Sequence, residues 1–196
     1  KLMNAVVVPK FGVWEYRSDV PTPEPKPGEV RIAVAACGIC GTDVHIAKFD
    51  ESLRKLLEPP FIQGHEFAGY VDKLGVGVTG FTPGEYVTAE MHEVCGKCPA
   101  CLDGKAHACA NTRYRGANEA GSFADYVCVS ASNVQRVPKE VPLRVAAFLD
   151  PLGNAVHTVT KVPVQGKKVL VAGYGAIGAM VVEVCAVMGA AEIHVM

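Results

Sequence analysis

The chain has 196 residues, 49% hydrophobic and 20% charged, with a formal net charge of −1. That length holds one full domain and part of another, and the near-neutral charge without a dense Lys/Arg run argues against a nucleic-acid or membrane-surface partner. The longest apolar stretch, at 181–191, is broken by Glu183 and Gly189 and is too short to span a bilayer.

In chain order, short apolar runs at 5–8, 30–36, 67–74, 86–89 and 124–129, separated by Pro and Gly, predict a β-rich part of short strands joined by turns. The Pro21-Thr-Pro-Glu-Pro-Lys-Pro27 stretch reads as a stiff loop between two strands. Two separated segments, Cys40-Gly-Thr-Asp-Val-His45 and Gly64-His-Glu66, supply soft, borderline and hard zinc ligands. Cys40, His65 and Glu66 make only three ligands, which leaves a coordination position for water or substrate, the pattern of a catalytic zinc. Cys37 and Cys40 also have the spacing of a redox Cys-x-x-Cys pair, but no thioredoxin-like βαβ pattern surrounds them.

Cys95, Cys98, Cys101 and Cys109 follow within one short segment. Cys-x2-Cys steps turn neighbouring thiolates back onto one ion and the longer gap brings in a fourth, so the segment reads as a closed, structural zinc site. The bacterial ferredoxin run places its fourth Cys after three residues, before a Pro. Here the gap is longer and Ala110 follows Cys109. A disulfide framework suits a small secreted domain, whereas this chain starts without a hydrophobic signal segment. A cytoplasmic protein is expected, whose eight cysteines are metal ligands and free thiols. Cys128 and Cys185 are expected to pack as small apolar residues, and His107 and His157 receive no ligand role.

After Pro138 the texture changes. Residues 142–149 and 154–160 carry helical apolar spacing interrupted by Pro151. A buried parallel strand is then predicted at 168–172, a helix at 179–188 ending at Gly189, and a second strand at 192–195. Between the first strand and the helix lies Gly173-Tyr-Gly-Ala-Ile-Gly178, the dinucleotide fingerprint: Gly173 for the tight turn, Gly175 for close approach of a pyrophosphate, and Gly178 for packing helix on strand. The ribose-binding acidic residue is due about twenty residues into such a motif, near Met196. NAD and NADP therefore stay undistinguished, and the remainder of the dinucleotide-binding domain is expected to be missing. The class is α/β, with a zinc-binding catalytic domain at 1–150 and, at 151–196, a connecting helix and the first βαβ portion of a Rossmann domain.

Cys-Gly-x-Cys-Gly-Thr-Asp-x-His, Gly-His-Glu, the four-Cys lobe and Gly-x-Gly-x-x-Gly occur here in one order along the whole chain. In that order it resembles the zinc-dependent medium-chain alcohol dehydrogenases. The resemblance implies a GroES-like catalytic domain joined to a Rossmann domain, two Zn2+ per subunit, a nicotinamide dinucleotide and a small-molecule alcohol substrate. Cys40-Gly-Thr-Asp-Val-His-Ile46 and Asp150-Pro-Leu-Gly-Asn-Ala-Val-His-Thr158 most resemble the threonine-oxidising branch. That implies NAD, a homotetramer, and oxidation of L-threonine to 2-amino-3-oxobutanoate. Carried over by position, Cys40, His65 and Glu66 hold the catalytic zinc, Thr42 and His45 form a proton relay, and Asp150 is a carboxylate close to the metal. Ile177 contacts NAD, and His92 lies where that branch places a substrate-influencing His.

The chemistry accounts for these residue types. An aliphatic alcohol must lose its hydroxyl proton before its carbon gives up hydride, and zinc as a Lewis acid lowers that pKa. A Thr hydroxyl followed by an imidazole can carry the proton outward. A polyol, 2,3-butanediol or other secondary-alcohol dehydrogenase of the same family is the alternative by substrate. A non-enzymatic zinc module that binds a partner through the four-Cys lobe is the alternative by class.

Overall fold

The computed structural model describes residues 1–48 and 57–196, which divide into two compact units, Lys1–Ala147 and Phe148–Met196. The first holds strands β1 (Leu2–Lys10), β2 (Val13–Pro21) and β3 (Glu29–Cys37), helix α1 (Gly41–Ala47), strands β4 (Phe61–Ile62), β5 (Phe67–Leu74), β6 (Tyr86–Ala89) and β7 (His92–Glu93), helix α2 (Pro99–Leu102), strands β8 (Arg113–Tyr114), β9 (Tyr126–Ser130) and β10 (Val134–Arg136), and helix α3 (Leu143–Ala146). The second holds helix α4 (Leu149–Val159), strand β11 (Lys168–Val171), helix α5 (Ala176–Val187) and strand β12 (Glu192–Val195).

The first unit is built on a five-stranded sheet in the order β10-β6-β5-β3-β9, with a second sheet β2-β1-β4 and the small hairpin β7-β8. Its core follows from the apolar runs: Val30 and Ile32 of β3, Phe67 and Val71 of β5, Val87 of β6 and Val127 and Val129 of β9 form one buried cluster. β-branched side chains at alternate positions fill the pleated inner face, and removing this apolar area from water is the main stabilising term. Strand β2 alternates Trp14, Tyr16 and Val20 with charged Glu15, Arg17 and Asp19, a period-2 pattern with no run of adjacent apolar residues beyond Val13-Trp14, and it is largely exposed. It is recruited by antiparallel pairing with β1, Val6 opposite Tyr16. Residues 22–26, within the Pro-rich stretch, form the loop from β2 toward β3.

A buried ionic network joins the β7-β8 hairpin to the main sheet. Glu93, 2% exposed, accepts hydrogen bonds from Arg115 Nε at 3.0 Å, from Arg113 Nη2 at 2.8 Å and from the Ser130 amide at 2.9 Å. Arg115, 5% exposed, also lies 3.6 Å from Glu29 at the start of β3. Removing one partner leaves a buried charge without its counter-charge. Glu93→Ala is therefore expected to cost about 3–5 kcal/mol, measured by urea unfolding. A loss near zero would mean that Arg115 finds water or another carboxylate.

In the second unit β11 and β12 pair in parallel, Val169 opposite Ile193, with α5 as the crossover, and Val159, Val164 and Cys185 make its core. Two expectations change here. Helix α5 starts at Ala176 rather than 179, because Gly175 in extended conformation caps it and the fingerprint's last residues already form its first turn. Pro151 does not interrupt a helix: it lies in the first turn of α4, where a missing N–H costs no intrahelical bond. Among the described residues no helix is long and apolar enough to cross a membrane.

Candidate metal centres and phosphate loop

The Cys40, His65 and Glu66 cluster is assembled by strand register. β3 and β5 run antiparallel with Cys37 opposite Phe67, and the Gly38 amide extends the ladder by donating to the Glu66 carbonyl at 2.6 Å. The residues just past the end of β3 thus meet those just before β5. Gly64 makes the approach possible: at φ +90° it occupies left-handed backbone, and a Cβ there would fall 2.8 Å from the Phe123 nitrogen. One ligand atom from each of Cys40, His65 and Glu66 lies within 4.8 Å of the others. His65 and Glu66 are buried and Cys40 is half-buried.

Cys40 caps the N-terminus of α1, where its amide donates to Asp43 Oδ2 at 2.9 Å. Thr42 lies beside it, its hydroxyl oxygen 3.7 Å from the Cys40 sulfur, and His45 follows one turn along the same helix. Both are exposed on α1, while Ile46 anchors that helix in a cluster with Val8 and Phe61. Burial raises the Cys40 thiol. Burial also raises Asp43, against the lowering effect of the Cys40 amide bond and the nearby His65. Cys37 is pushed up to about 12 by burial, with its sulfur 3.0 Å from the Ser122 hydroxyl. A thiol so far from ionisation does not suit the redox-pair reading.

The four-Cys lobe comes together as one knot. Cys98 lies 3.5 Å from Cys101 and 3.8 Å from Cys109, and Cys109 lies 3.6 Å from Cys95, sulfur to sulfur. The edge of a zinc–thiolate tetrahedron with bonds of about 2.3 Å is ~3.8 Å, so the spacing suits a tetrahedral ion, and no disulfide is present among the eight cysteines. Amide donors surround the sulfurs. The Lys97 amide is the largest influence lowering Cys95 to about 6, the Cys95 amide lowers Cys109, and loss of hydration pushes Cys101 up to about 12. Cys128 and Cys185 are buried elsewhere.

Gly173, Gly175 and Gly178 form the turn from β11 into α5. Gly173 has φ +95°, and a Cβ on Gly178 would collide with the Gly173 carbonyl, so the third glycine lets the helix start against the strand end. Ile177 is exposed beside this turn. Asp150 is the second residue of α4, in the second unit, whereas the Cys40 cluster is built from the first alone. His92 lies on β7, with Nδ1 on the Glu90 carboxylate and its ring edge-on to Tyr114 at 5.3 Å; it belongs to neither metal-type cluster among the described residues. Sequence reasoning passed over Gln63 and Trp14, whose hydrogen bond at 2.5 Å reaches the edge of this site; a buried amide beside Gly64-His-Glu66 was the available signal.

The alcohol dehydrogenase GroES-like domain profile matches residues 26–139. An L-threonine 3-dehydrogenase of Pyrococcus horikoshii is 44% identical over 188 residues, 96% of this chain and 54% of that protein. A candidate zinc-binding dehydrogenase of Sinorhizobium meliloti, crystallised with NADP, superposes with a TM-score of 0.90 at 33% identity, over 100% of this chain and 56% of that one. The 2R,3R-butanediol dehydrogenase of Bacillus subtilis gives a TM-score of 0.83 at 26% identity, over 98% of this chain and 57% of its own. The chain spans about half the length of the curated relatives it matches.

Proposed function

The chain belongs to the zinc-dependent medium-chain alcohol dehydrogenases with a GroES-like domain, and from that premise we propose that the full-length protein is an L-threonine 3-dehydrogenase, oxidising L-threonine to 2-amino-3-oxobutanoate. The open Cys40, His65 and Glu66 cluster carries this reading, since a closed structural site has no use for a three-ligand set. The threonine assignment rests on the similarity to threonine-oxidising relatives. NAD as acceptor, a homotetramer and a cytoplasmic location are proposed on the family resemblance of the sequence motifs alone.

Zinc held by Cys40, His65 and Glu66 would act as the Lewis acid that makes the alcohol proton acidic. Thr42, beside the Cys40 sulfur, accepts that proton through its hydroxyl and passes its own to His45, which is exposed and releases it to solvent. A nicotinamide dinucleotide, when bound, would supply the two-electron acceptor that takes the carbinol hydride as the alcohol becomes the ketone. Gly173, Gly175 and Gly178 would let backbone amides at the start of α5 hold the pyrophosphate, and the exposed Ile177 would contact the cofactor. Asp150 and His92 keep the roles that the family resemblance implies, a carboxylate that would assist at the metal and a His that would influence the choice of substrate. Cys95, Cys98, Cys101 and Cys109 hold the structural zinc.

Gly178→Ala is expected to weaken dinucleotide binding about tenfold, because the added methyl must displace the turn that cradles the phosphates, at about 1–3 kcal/mol. NADH fluorescence titration of the full-length protein measures it. Unchanged affinity would remove the loop from the cofactor site.

The second reading, a diol or polyol dehydrogenase, is favoured by the likeness to the butanediol enzyme. Comparing kcat/KM of the full-length protein for L-threonine, 2,3-butanediol and sorbitol decides between them. A preference for L-threonine supports the proposal, and a preference for a diol transfers it to the second reading. No turnover together with a single bound ion would point to a non-enzymatic zinc module.

A further inference from the structure

Gln63 is 1% exposed, an unusual place for an amide, and the proposed chemistry does not use it. It follows β4 and directly precedes Gly64-His-Glu66. Its Oε1 accepts from the indole Nε1 of Trp14 on β2 at 2.5 Å, and its Nε2 lies 3.5 Å from Asp43 Oδ1. An indole N–H can only donate, so Trp14 settles which way the amide points: oxygen toward the indole, NH2 toward the carboxylate. Asp43 is 5% exposed. Its other oxygen takes the Cys40 amide at 2.9 Å, and the Gly64 amide, next in the chain to His65, also donates to this carboxylate. One continuous path runs from Trp14 through Gln63 to Asp43, and there divides toward the backbone of Cys40 and of Gly64.

We propose that Gln63 is a positioning residue of the open metal site: clamped by Trp14, it holds the buried Asp43 carboxylate in the one orientation that fixes the backbone of Cys40 and of Gly64, the residue before His65. It does not touch the metal. The proposal rests on the reading of Cys40, His65 and Glu66 as a metal site. A buried carboxylate with one donor fewer turns or recruits water, and the ligand atoms it steadies then spread. Changing the partners of metal ligands typically alters metal affinity by about 10–100-fold.

The test is a Co2+ titration of the full-length, demetallated protein against a chromophoric chelator, which resolves the two sites by affinity and by their visible spectra. Gln63→Leu is expected to weaken the open site at least tenfold and shift its absorption band, with the four-Cys site within twofold of wild type as internal control. Trp14→Phe, which keeps an aromatic ring at a position 36% exposed and removes only the N–H donor, is expected to weaken the open site about threefold by loosening the clamp. Should Gln63→Leu fail to fold, Trp14→Phe decides alone. The proposal is overturned if the open site of the folded variants stays within twofold of wild type, or if both sites weaken together, which a general loss of stability would produce. A wild type that binds one ion only would sink the metal-site reading itself; two ions with an unmoved open site in the variants sinks the role of Gln63 alone.

Discussion

His65→Ala in the full-length protein is expected to lower kcat/KM for the alcohol roughly 10³-fold or more, with loss of one of two bound metal ions. Metal polarisation of an alcohol oxygen is worth several kcal/mol, and each 1.36 kcal/mol is a factor of about ten in rate. His65 is buried beside Glu66, and with only Cys40 and Glu66 remaining the cluster cannot hold a divalent ion in a defined geometry. Steady-state NADH production and metal content measure the two effects. Retained turnover with both ions bound would place the chemistry elsewhere.

The second large effect is expected in the four-Cys lobe. Of residues 94–112 only Cys109 is buried, and α2 buries no side chain. Such a segment has no apolar core of its own, so the ion must supply the order, as in small zinc domains, where apparent binding energies reach about 10–16 kcal/mol. Cys98→Ser, or selective chelation of this site, is expected to unfold the lobe locally and open it to proteolysis, with amide exchange there approaching unprotected rates. The five-stranded core should survive, because its buried cluster of Val30, Ile32, Phe67 and Val129 lies outside the lobe. Turnover should fall later and less than stability. Full protection of the lobe after metal loss would contradict the assignment.

The two metal-type clusters were legible to different degrees. Four cysteines on one short segment cannot be far apart, so their spacing already implied a shared ion, and the sulfur–sulfur distances of 3.5–3.8 Å agree. The glycine fingerprint was equally local, although its helix began sooner than apolar spacing indicated, because Gly175 caps the helix and the turn glycines carry no periodicity. Cys40 and His65 could be paired from sequence only through their ligand chemistry and family order. Strand β2 falls outside the expected apolar runs because its apolar residues, Trp14, Tyr16 and Val20, alternate with charged ones instead of clustering, and its pairing with β1 places it. Glu93 belongs to no sequence motif, and its burial comes from Arg115 and the Ser130 amide, which reach it from distant segments.

The sequence by itself determined the chemical inventory: a thiolate lobe, a soft–borderline–hard ligand set, a phosphate turn and the apolar runs of the main sheet, all carried by residue type and short spacing. Only the tertiary structure decided what stands beside what. The β3–β5 register places Cys40 against His65 and Glu66, Gly64 lets the chain cross Phe123, and Trp14 orients Gln63 toward Asp43. The physical reason is range. Connectivity confines neighbours within a turn or two, whereas contacts between distant segments exist only after apolar burial has repaid the entropy of bringing them together.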